Sequence, residues 1–336
     1  MSLARLGAAA AALAAAALAA PAAAFVRTAD RTTGVEISWP TPAVTFDLSS
    51  APSFAAPSCA ATAAGDPIEA TVRASFGAWE QGCASLRLVY GGKVPEIRIG
   101  LSGSAENVVV IRRGWCSTDP VASRDPCMTD PDVDCGGIYD CFEDDSPADR
   151  ATVALTTVLY DPGTGRVYDA DMEVNGWDGQ ATGSTLGIGT TGPPHGYYFT
   201  CDTEAWPSAC TTYGQDRCKG YDLRNTVTHE AGHFVGLAHP CGDFGTPTCD
   251  RPLPPGETVP YAQRTMYPAT AIGETSKAIL SADDAAGVCA IYPHPAGCGT
   301  GGSVGALAAL LAALALRPAV RRRARPRSRP PGGGRR

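Results

Sequence analysis

Residues 229–239 read HEAGHFVGLAH and hold three of the five histidines in a chain of 336 residues. Because side chains four positions apart share one face of an α-helix, a helix through this stretch brings His229 and His233 together. Gly236 can adopt the left-handed conformation that ends a helix, and the turn it allows directs His239 toward the same point. The spacing therefore predicts a metal site with three imidazole ligands.

Glu230 follows the first of these histidines, so we expect its carboxylate beside the metal rather than bound to it. Three neutral nitrogen ligands are typical of catalytic zinc, which keeps its fourth position for water and lowers the pKa of that water toward about 7. A carboxylate beside such a water is suited to take its proton and pass it to the leaving amine of a cleaved peptide. The pattern thus predicts Zn²⁺ as the cofactor, His229, His233 and His239 as its ligands, and Glu230 as the general base.

Two other interpretations compete with catalysis. A His-Glu-x-x-His pair alone can arise as accidental surface polarity, but Gly236 and the third histidine make the longer pattern specific. A structural zinc would need a fourth protein ligand and would have no use for Glu230. Cys241 is near enough in sequence to be that ligand, although a disulfide from Cys241 to a neighbour such as Cys249 is the favoured expectation.

The stretch HEAGHFVGLAHP resembles the zinc-binding consensus of the metzincin metalloproteases, which carry a methionine turn beneath the metal. The sequence Thr265-Met266-Tyr267-Pro268 fits that turn, and its Met-Tyr-Pro order resembles the matrixin branch. The resemblance implies that Met266 forms a hydrophobic floor under the metal, supported by Tyr267 and Pro268.

Residues 280–292 look like the final matrixin helix. The resemblance implies that Asp283 and Asp284 in this helix hold the methionine turn and the N-terminus of the mature chain. Two features depart from matrixins. No inhibitory pro-segment with a cysteine switch is recognisable, and Ala269-Thr270-Ala271 stands where the specificity wall usually has an aromatic residue.

The matrixin resemblance implies an α+β fold with a twisted, mostly parallel sheet, an antiparallel edge strand lining the cleft, and three helices. Local patterns add element positions. Apolar residues at helical spacing from Ile68 to Leu86, behind Asp66-Pro67, predict an amphipathic helix over 67–82. Alternating and β-branched stretches predict one or two strands within 25–48 and further strands at 96–100, 108–112, 151–160 and 166–175.

Two cysteine-rich insertions, at about 114–150 and 176–219, have no place in a minimal matrixin domain. The first contains four cysteines and nine aspartates, and we expect a surface insertion held by disulfides. Its carboxylates could bind a structural Ca²⁺, which takes hard oxygen ligands, but no regularly spaced calcium loop is evident. A solvated acidic surface is the favoured interpretation.

The cysteine count and the charge indicate the compartment and exclude one class of partner. Of 13 cysteines, 12 lie between Cys59 and Cys289, an even number typical of disulfides in an oxidising compartment, with the pairing left open. Without Arg5 and the nine arginines of residues 317–336, 17 basic residues face 34 acidic ones. Such an acidic body argues against nucleic-acid binding.

Both ends of the chain look like targeting segments. Residues 1–24 have a basic start, an Ala/Leu core and a small-residue end, which predicts a signal peptide cut before Phe25; an N-terminal anchor is the alternative. The predicted catalytic domain spans 25–293. The tail, 294–336, contains Cys298, a short apolar run at 304–316 and an arginine-rich end. It resembles MYXO-CTERM sorting signals, which implies processing at Cys298 by a sorting enzyme after transient membrane association; a plain membrane anchor is the alternative.

Taken together, these features predict an exported, secreted or surface-anchored bacterial zinc metalloendopeptidase. Its substrates would be internal peptide bonds of extracellular proteins or peptides, and we expect a monomer. One alternative is a non-proteolytic surface adhesin that retains the metzincin scaffold, against which the presence of Glu230 argues. Another is a metal-dependent hydrolase of non-peptide substrates, which the matrixin-like methionine turn disfavours.

Overall fold

The computed structural model describes residues 25–50, 59–95, 107–112, 142, 151–176, 197, 199–201, 220–243, 245–253, 255 and 257–294. The chain divides into two compact units, Met1–Pro293 and His294–Arg336, and every element below belongs to the first. The predicted signal peptide, the predicted strand at 96–100, Cys298 with the sorting tail, and most of both insertions, including the proposed calcium ligands, lie outside the described residues.

The described elements are nine strands and three α-helices, with two short 3₁₀ helices at Tyr261–Gln263 and Ser276–Ala278. The strands are β1 (Val26–Arg27), β2 (Ala43–Ser49), β3 (Arg87–Val94), β4 (Val108–Arg112), β5 (Ala154–Tyr160), β6 (Val167–Asn175), β7 (Phe199–Thr200), β8 (Tyr221–Asp222) and β9 (Leu237–Ala238). The helices are α1 (Pro67–Gly77), α2 (Leu223–Phe234) and α3 (Ala282–Ile291).

A five-stranded sheet in the order β3-β2-β4-β6-β5 forms the scaffold. Neighbouring strands run parallel except β5, which pairs antiparallel with β6 and forms one edge. The β5–β6 turn needs Gly165, whose φ is +70°, because a Cβ there would overlap the carbonyl oxygen of Glu36. The predicted mixed α and β fold, with a mostly parallel sheet and an antiparallel edge strand, is confirmed.

The helix predicted over 67–82 is shorter in the structure and ends at Gly77. It begins as expected, because the Asp66 side chain accepts hydrogen bonds from the first-turn amides and Pro67 occupies the first turn. Leu86 is not part of the helical pattern. It is buried just before β3, a strand that the sequence analysis missed because its Gly91-Gly92 pair disguises it.

Aromatic side chains join the sheet, α1 and α2 into one core. Phe46 of β2 stacks on Phe76 of α1 with ring centroids 3.8 Å apart. Phe76 also meets Phe234 of α2 edge-on at 5.1 Å. Trp79 is fully buried, and its indole N–H donates to the carbonyl of Thr228 in α2 at 2.9 Å. These contacts fix α2 rigidly against the scaffold.

One face of β6 is acidic and yet buried. Glu173 pairs with Arg112 at 2.7 Å, and Asp171 accepts a hydrogen bond from the amide of Val108 at 2.7 Å. Asp169 is only 3% exposed, and among the described residues no side chain donates a hydrogen bond to its carboxylate, although the backbone amide of Ala170 acts to lower its pKa. Burial raises the pKa of Asp169 to about 7.

The raised pKa of Asp169 predicts a pH-dependent stability. Between its ordinary pKa of 3.8 and about 7, the folded protein holds a proton that the unfolded chain has released, so stability falls as pH rises through this window. We expect Asp169→Asn to remove that dependence and to stabilise the protein at pH 8 by about 1–3 kcal/mol. Urea unfolding of both metal-free proteins from pH 4.5 to pH 8 measures this, and parallel profiles would contradict it.

Three disulfides lie within the described part of the chain. They join Cys59 to Cys201, Cys83 to Cys289 and Cys241 to Cys249, with Cα atoms 5.0, 5.4 and 4.9 Å apart. These separations are typical of disulfides and indicate an oxidising environment. The expected Cys241–Cys249 bridge is confirmed, which removes Cys241 as a candidate metal ligand. Among the described helices, none has the length and apolar character to span a membrane.

Candidate metal centre

Helix α2 presents two of the predicted ligands. The helix begins where the carboxylate of Asp222 accepts a hydrogen bond from the amide of Asn225 at 2.6 Å, which caps its N-terminus. His229 and His233 lie one turn apart on this helix. Since the helix is packed against the core, the positions of its two imidazole rings are fixed relative to the rest of the fold.

The third histidine is placed by a turn and a two-strand ribbon. Gly236 has φ of +95° just after α2, and a Cβ there would lie 3.0 Å from the carbonyl oxygen of Ile37. Beyond the turn, β9 pairs antiparallel with β1, and the amide of Thr28 donates to the carbonyl of Gly236 at 2.9 Å. Residues 26–28 thus hold the segment that leads into His239, a long-range contact that no local pattern predicts.

The three imidazoles converge on one point. Nε2 of His239 lies 3.2 Å from Nε2 of His229 and 3.0 Å from Nε2 of His233. Their ligand atoms all fall within 4.8 Å of one another, and among the described residues they form a group that can hold a metal ion. The helix and the turn therefore assemble the predicted trio.

The hydrogen bonds behind the rings identify which nitrogens face inward with lone pairs. Nδ1 of His229 lies 2.7 Å from the carbonyl oxygen of Thr265, and Nδ1 of His233 lies 2.9 Å from that of Leu237. A carbonyl oxygen only accepts, so each Nδ1 carries the hydrogen and each Nε2 is left with its lone pair. Nδ1 of His239 lies 2.8 Å from a carboxylate oxygen of Asp243, which favours the hydrogen on that nitrogen as well. Three unprotonated nitrogens this close repel one another unless a cation lies between them. The residues therefore fit a metal ion.

The environment also favours the neutral form of the ligands. Burial lowers the pKa of His229 well below its usual 6.5, and the neighbouring histidines lower it further. Burial likewise lowers the pKa of His239, although Asp243 opposes this. Neutral imidazole is the metal-binding form, so both rings are ready to bind a cation at neutral pH.

Asp243 is a neighbour of the site that the sequence analysis did not single out. Its Oδ2 lies 2.8 Å from Nδ1 of His239, a close electrostatic contact that lacks the alignment of a true hydrogen bond. A carboxylate behind a metal-binding imidazole raises the basicity of the ligand. The only sequence signal was an acidic residue four positions after the third histidine.

The segment 265–268 supports His229 from behind. Oδ2 of Asp284 accepts hydrogen bonds from the Thr265 amide at 2.7 Å and from the Ser281 hydroxyl at 2.6 Å. Thr265 in turn accepts from His229, so Asp284 orients a metal-site ring through one intermediate residue. Asp283 lies 3.2 Å from Arg264. Its expected contact with the N-terminus of the mature chain stays a prediction.

Met266 is buried directly beneath α2. A Cβ placed on Gly232, between the two helical histidines, would overlap the Met266 sulfur. Pro268 lines the cleft, and the half-buried Tyr267 has its ring 5.6 Å from Nζ of Lys277. This segment is thus close to the histidines, and Met266 contacts the helix that bears two of them.

Glu230 is buried beside the histidines and is held by the edge strand. The Thr156 hydroxyl of β5 lies 2.8 Å from Oε2 of Glu230 and donates to it. Burial raises the pKa of Glu230, while His233 and the Thr156 hydrogen bond act in the opposite direction. Thr156 was missed because a strand pattern does not show which of its residues faces a helix.

A cleft of about 700 Å³ opens over the site. One wall is β5 with the residues just before it, and consecutive positions from Ala151 to Thr156 line the cleft, so the edge of the strand faces it. The floor holds Glu230 and the three histidines. The opposite wall is formed by residues 268–270 and Lys277.

The structure thus brings together Glu230, the three histidines, Gly236 and the 265–268 segment, whereas Cys298 lies outside the described residues. Asp283 and Asp284 lie one layer behind the histidines. A scan against known protein families finds no match, and a search of curated proteins finds no similar sequence.

Proposed function

We propose that the protein is a zinc-dependent metalloendopeptidase of the metzincin type, similar to matrixins. The observation that carries this proposal is the placement of a buried carboxylate, Glu230, beside three converging Nε2 atoms, with the tautomers of His229 and His233 set by carbonyl oxygens. A metal held only for structure would have no use for a base at this position.

Zinc is the metal that suits this ligand set best. Imidazole nitrogens suit zinc, copper, iron and nickel, whereas calcium and magnesium take oxygen ligands. With Cys241 in a disulfide, the described part of the chain offers three protein ligands, the number typical of catalytic zinc. When bound, zinc acts as a Lewis acid toward water and toward the carbonyl of the peptide bond.

The residues of this chain then have separate roles in hydrolysis. Glu230 takes a proton from the attacking water and transfers it to the nitrogen of the leaving amine. Thr156 donates to Oε2 of Glu230 and so orients the carboxylate, which keeps further lone pairs to take the proton. Burial of Glu230 raises its pKa, which brings the carboxylate closer to the basicity that proton transfer at neutral pH needs.

The edge strand β5 is suited to bind an extended substrate. Its backbone edge faces the cleft, and an extended peptide can add to such an edge as a further strand. Backbone hydrogen bonds of this kind hold the substrate independently of its side chains, so cleavage within unfolded protein segments is expected.

The proposed location follows from the disulfides and the terminal segments. The three disulfides support an oxidising compartment, and we infer export through residues 1–24. Surface retention by the tail through Cys298, with a sorting enzyme as partner, belongs to the same proposal. Substrates would then be extracellular proteins or peptides.

Metal removal tests the proposed function. The purified protein is expected to contain about one zinc per chain and to cleave unfolded casein at internal bonds. Treatment with 1,10-phenanthroline should abolish cleavage, and added Zn²⁺ should restore it, because the neutral histidines bind the ion again. Elemental analysis and mass spectrometry of the fragments report the two results. Cleavage that survives complete metal removal would overturn the proposal.

A further inference from the structure

Lys277 is an unusual residue in the wall of the cleft. Its side chain is only 3% exposed, yet it lies among the residues that line the cleft near the histidines. Its charge is close enough to lower the pKa of both His229 and His239. A buried ammonium group beside a reaction centre needs a partner, since an unpaired buried charge is costly.

The described residues satisfy this ammonium group only in part. Nζ donates to the carbonyl oxygen of Ala269. The nearest carboxylate, Glu274, has Oε1 at 4.0 Å, beyond hydrogen-bond distance. The oxygens of Glu274 already accept from Ala271, Thr270 and Ser276. Lys277 has three N–H donors, so it retains capacity for a further acceptor.

The backbone around Lys277 holds it in place. The amide of Lys277 donates to Oδ1 of Asn225 at 2.7 Å, and Nδ2 of Asn225 donates to Thr270 Oγ1 at 3.1 Å. Asn225 is one turn before His229 on α2. The helix and the 268–270 wall are therefore tied together, and Lys277, which also lines the cleft, donates from Nζ to Ala269 of that wall. Glu274 is not among the cleft-lining residues.

We propose that Lys277 is a specificity-determining residue that binds a substrate carboxylate next to the bond that is cut. This inference rests on the proposed peptidase function. A side chain flanking the scissile bond, with the substrate laid along β5, enters the space between α2 and residues 268–270. A glutamate or aspartate there accepts the free N–H donors of Lys277. A C-terminal α-carboxylate has the same chemistry and is the second source to be tested.

Matched peptides test the inference. A peptide library first locates the cut; amidated peptides then carry Glu or its isostere Gln at each of the two flanking positions. The wild type is expected to cleave the Glu peptide with a kcat/KM at least about tenfold higher at one position, since a hydrogen bond to a charged group is involved. In Lys277→Met, the ratio of kcat/KM for the Glu peptide to kcat/KM for the Gln peptide should fall to near one. Lys277→Arg should preserve a preference for the Glu peptide. A third peptide has neutral side chains and a free C-terminus near the cut. If this peptide is favoured and the amidated Glu peptide is not, the carboxylate that Lys277 binds is the C-terminal α-carboxylate.

The outcomes separate the two proposals. A purely structural role of Lys277 would lower cleavage of the Glu and Gln peptides equally, so an unchanged ratio in Lys277→Met overturns the specificity role and leaves the peptidase standing. A wild-type protein that cleaves the Glu and Gln peptides with equal kcat/KM also overturns the specificity role and leaves the peptidase proposal standing. If the wild type cleaves neither peptide, the peptidase proposal fails. Binding of the same peptides, measured by fluorescence anisotropy, then tests whether Lys277 binds a carboxylate. Tighter binding of the Glu peptide that Lys277→Met removes supports the site, and equal binding overturns it.

Discussion

Replacing Glu230 by Gln is expected to lower kcat/KM for casein-derived peptides by about 100- to 10,000-fold, the usual contribution of a general base. Glutamine keeps the size of the side chain and can still accept the Thr156 hydrogen bond, but it cannot take a proton from water. The zinc content should stay at the wild-type level, because Glu230 is not in the group of converging nitrogens. Peptide kinetics and elemental analysis on the same preparation measure both quantities.

A matched control separates loss of the base from a general effect of the substitution. Glu69→Gln makes the same chemical change on α1, where the half-buried Glu69 pairs with the exposed Arg73 at 3.5 Å. An ion pair of this kind contributes about 0–1 kcal/mol, so this control is expected to keep wild-type kinetics and to change stability little. A Glu230→Gln protein as active as the Glu69→Gln control would remove Glu230 from the mechanism. A wild type that binds zinc but cleaves nothing would instead favour the adhesin.

The group of three histidines was predictable because the residues that bring it together are close to one another in the sequence. Offsets of four along a helix, followed by a glycine that reverses the chain, predict that His229, His233 and His239 meet, whereas the pairing of β9 with β1 that holds the third of them could not be predicted locally. The cap of α1 was predictable in the same way as the histidine group, because short-range chemistry decides its geometry. The mostly parallel sheet was expected from the family resemblance, and its strand order could not be read from any single segment.

What escaped prediction depends on contacts between distant segments. Thr156 reaches Glu230 across 74 positions of sequence, and Lys277 meets Asn225 across 52. A threonine in a strand or a lysine before an apolar helix is ordinarily solvated, so neither residue gives a local signal. Strand β3 was missed for a different reason, because its two glycines weaken the strand pattern.

The largest expected loss of stability comes from Gly232→Ala. In an exposed helix this change is stabilising, since alanine is preferred to glycine by about 1 kcal/mol. Here the added Cβ would overlap the Met266 sulfur and lie 2.7 and 2.9 Å from ring atoms of Trp79. Met266 can change rotamer, but Trp79 is fully buried and hydrogen-bonded to the Thr228 carbonyl of the same helix. Overpacking of a rigid contact is expected to reverse the sign and destabilise the protein by about 2–4 kcal/mol.

Gly77→Ala is the matched control, because Gly77 is also helical and a Cβ there meets nothing within 4 Å. It should leave the free energy of unfolding unchanged or raise it slightly. The substitution at Gly232 should also weaken zinc binding. The helix relieves the steric overlap by moving away from Trp79 and Met266, and this movement displaces the histidines that it carries. Met266 follows Thr265, whose carbonyl orients His229, so that movement misaligns the ring. Urea unfolding and a zinc competition titration should therefore both show losses for Gly232→Ala. If both variants unfold at the same urea concentration, the close packing of Met266 and Trp79 against α2 is not what holds the ligands in place.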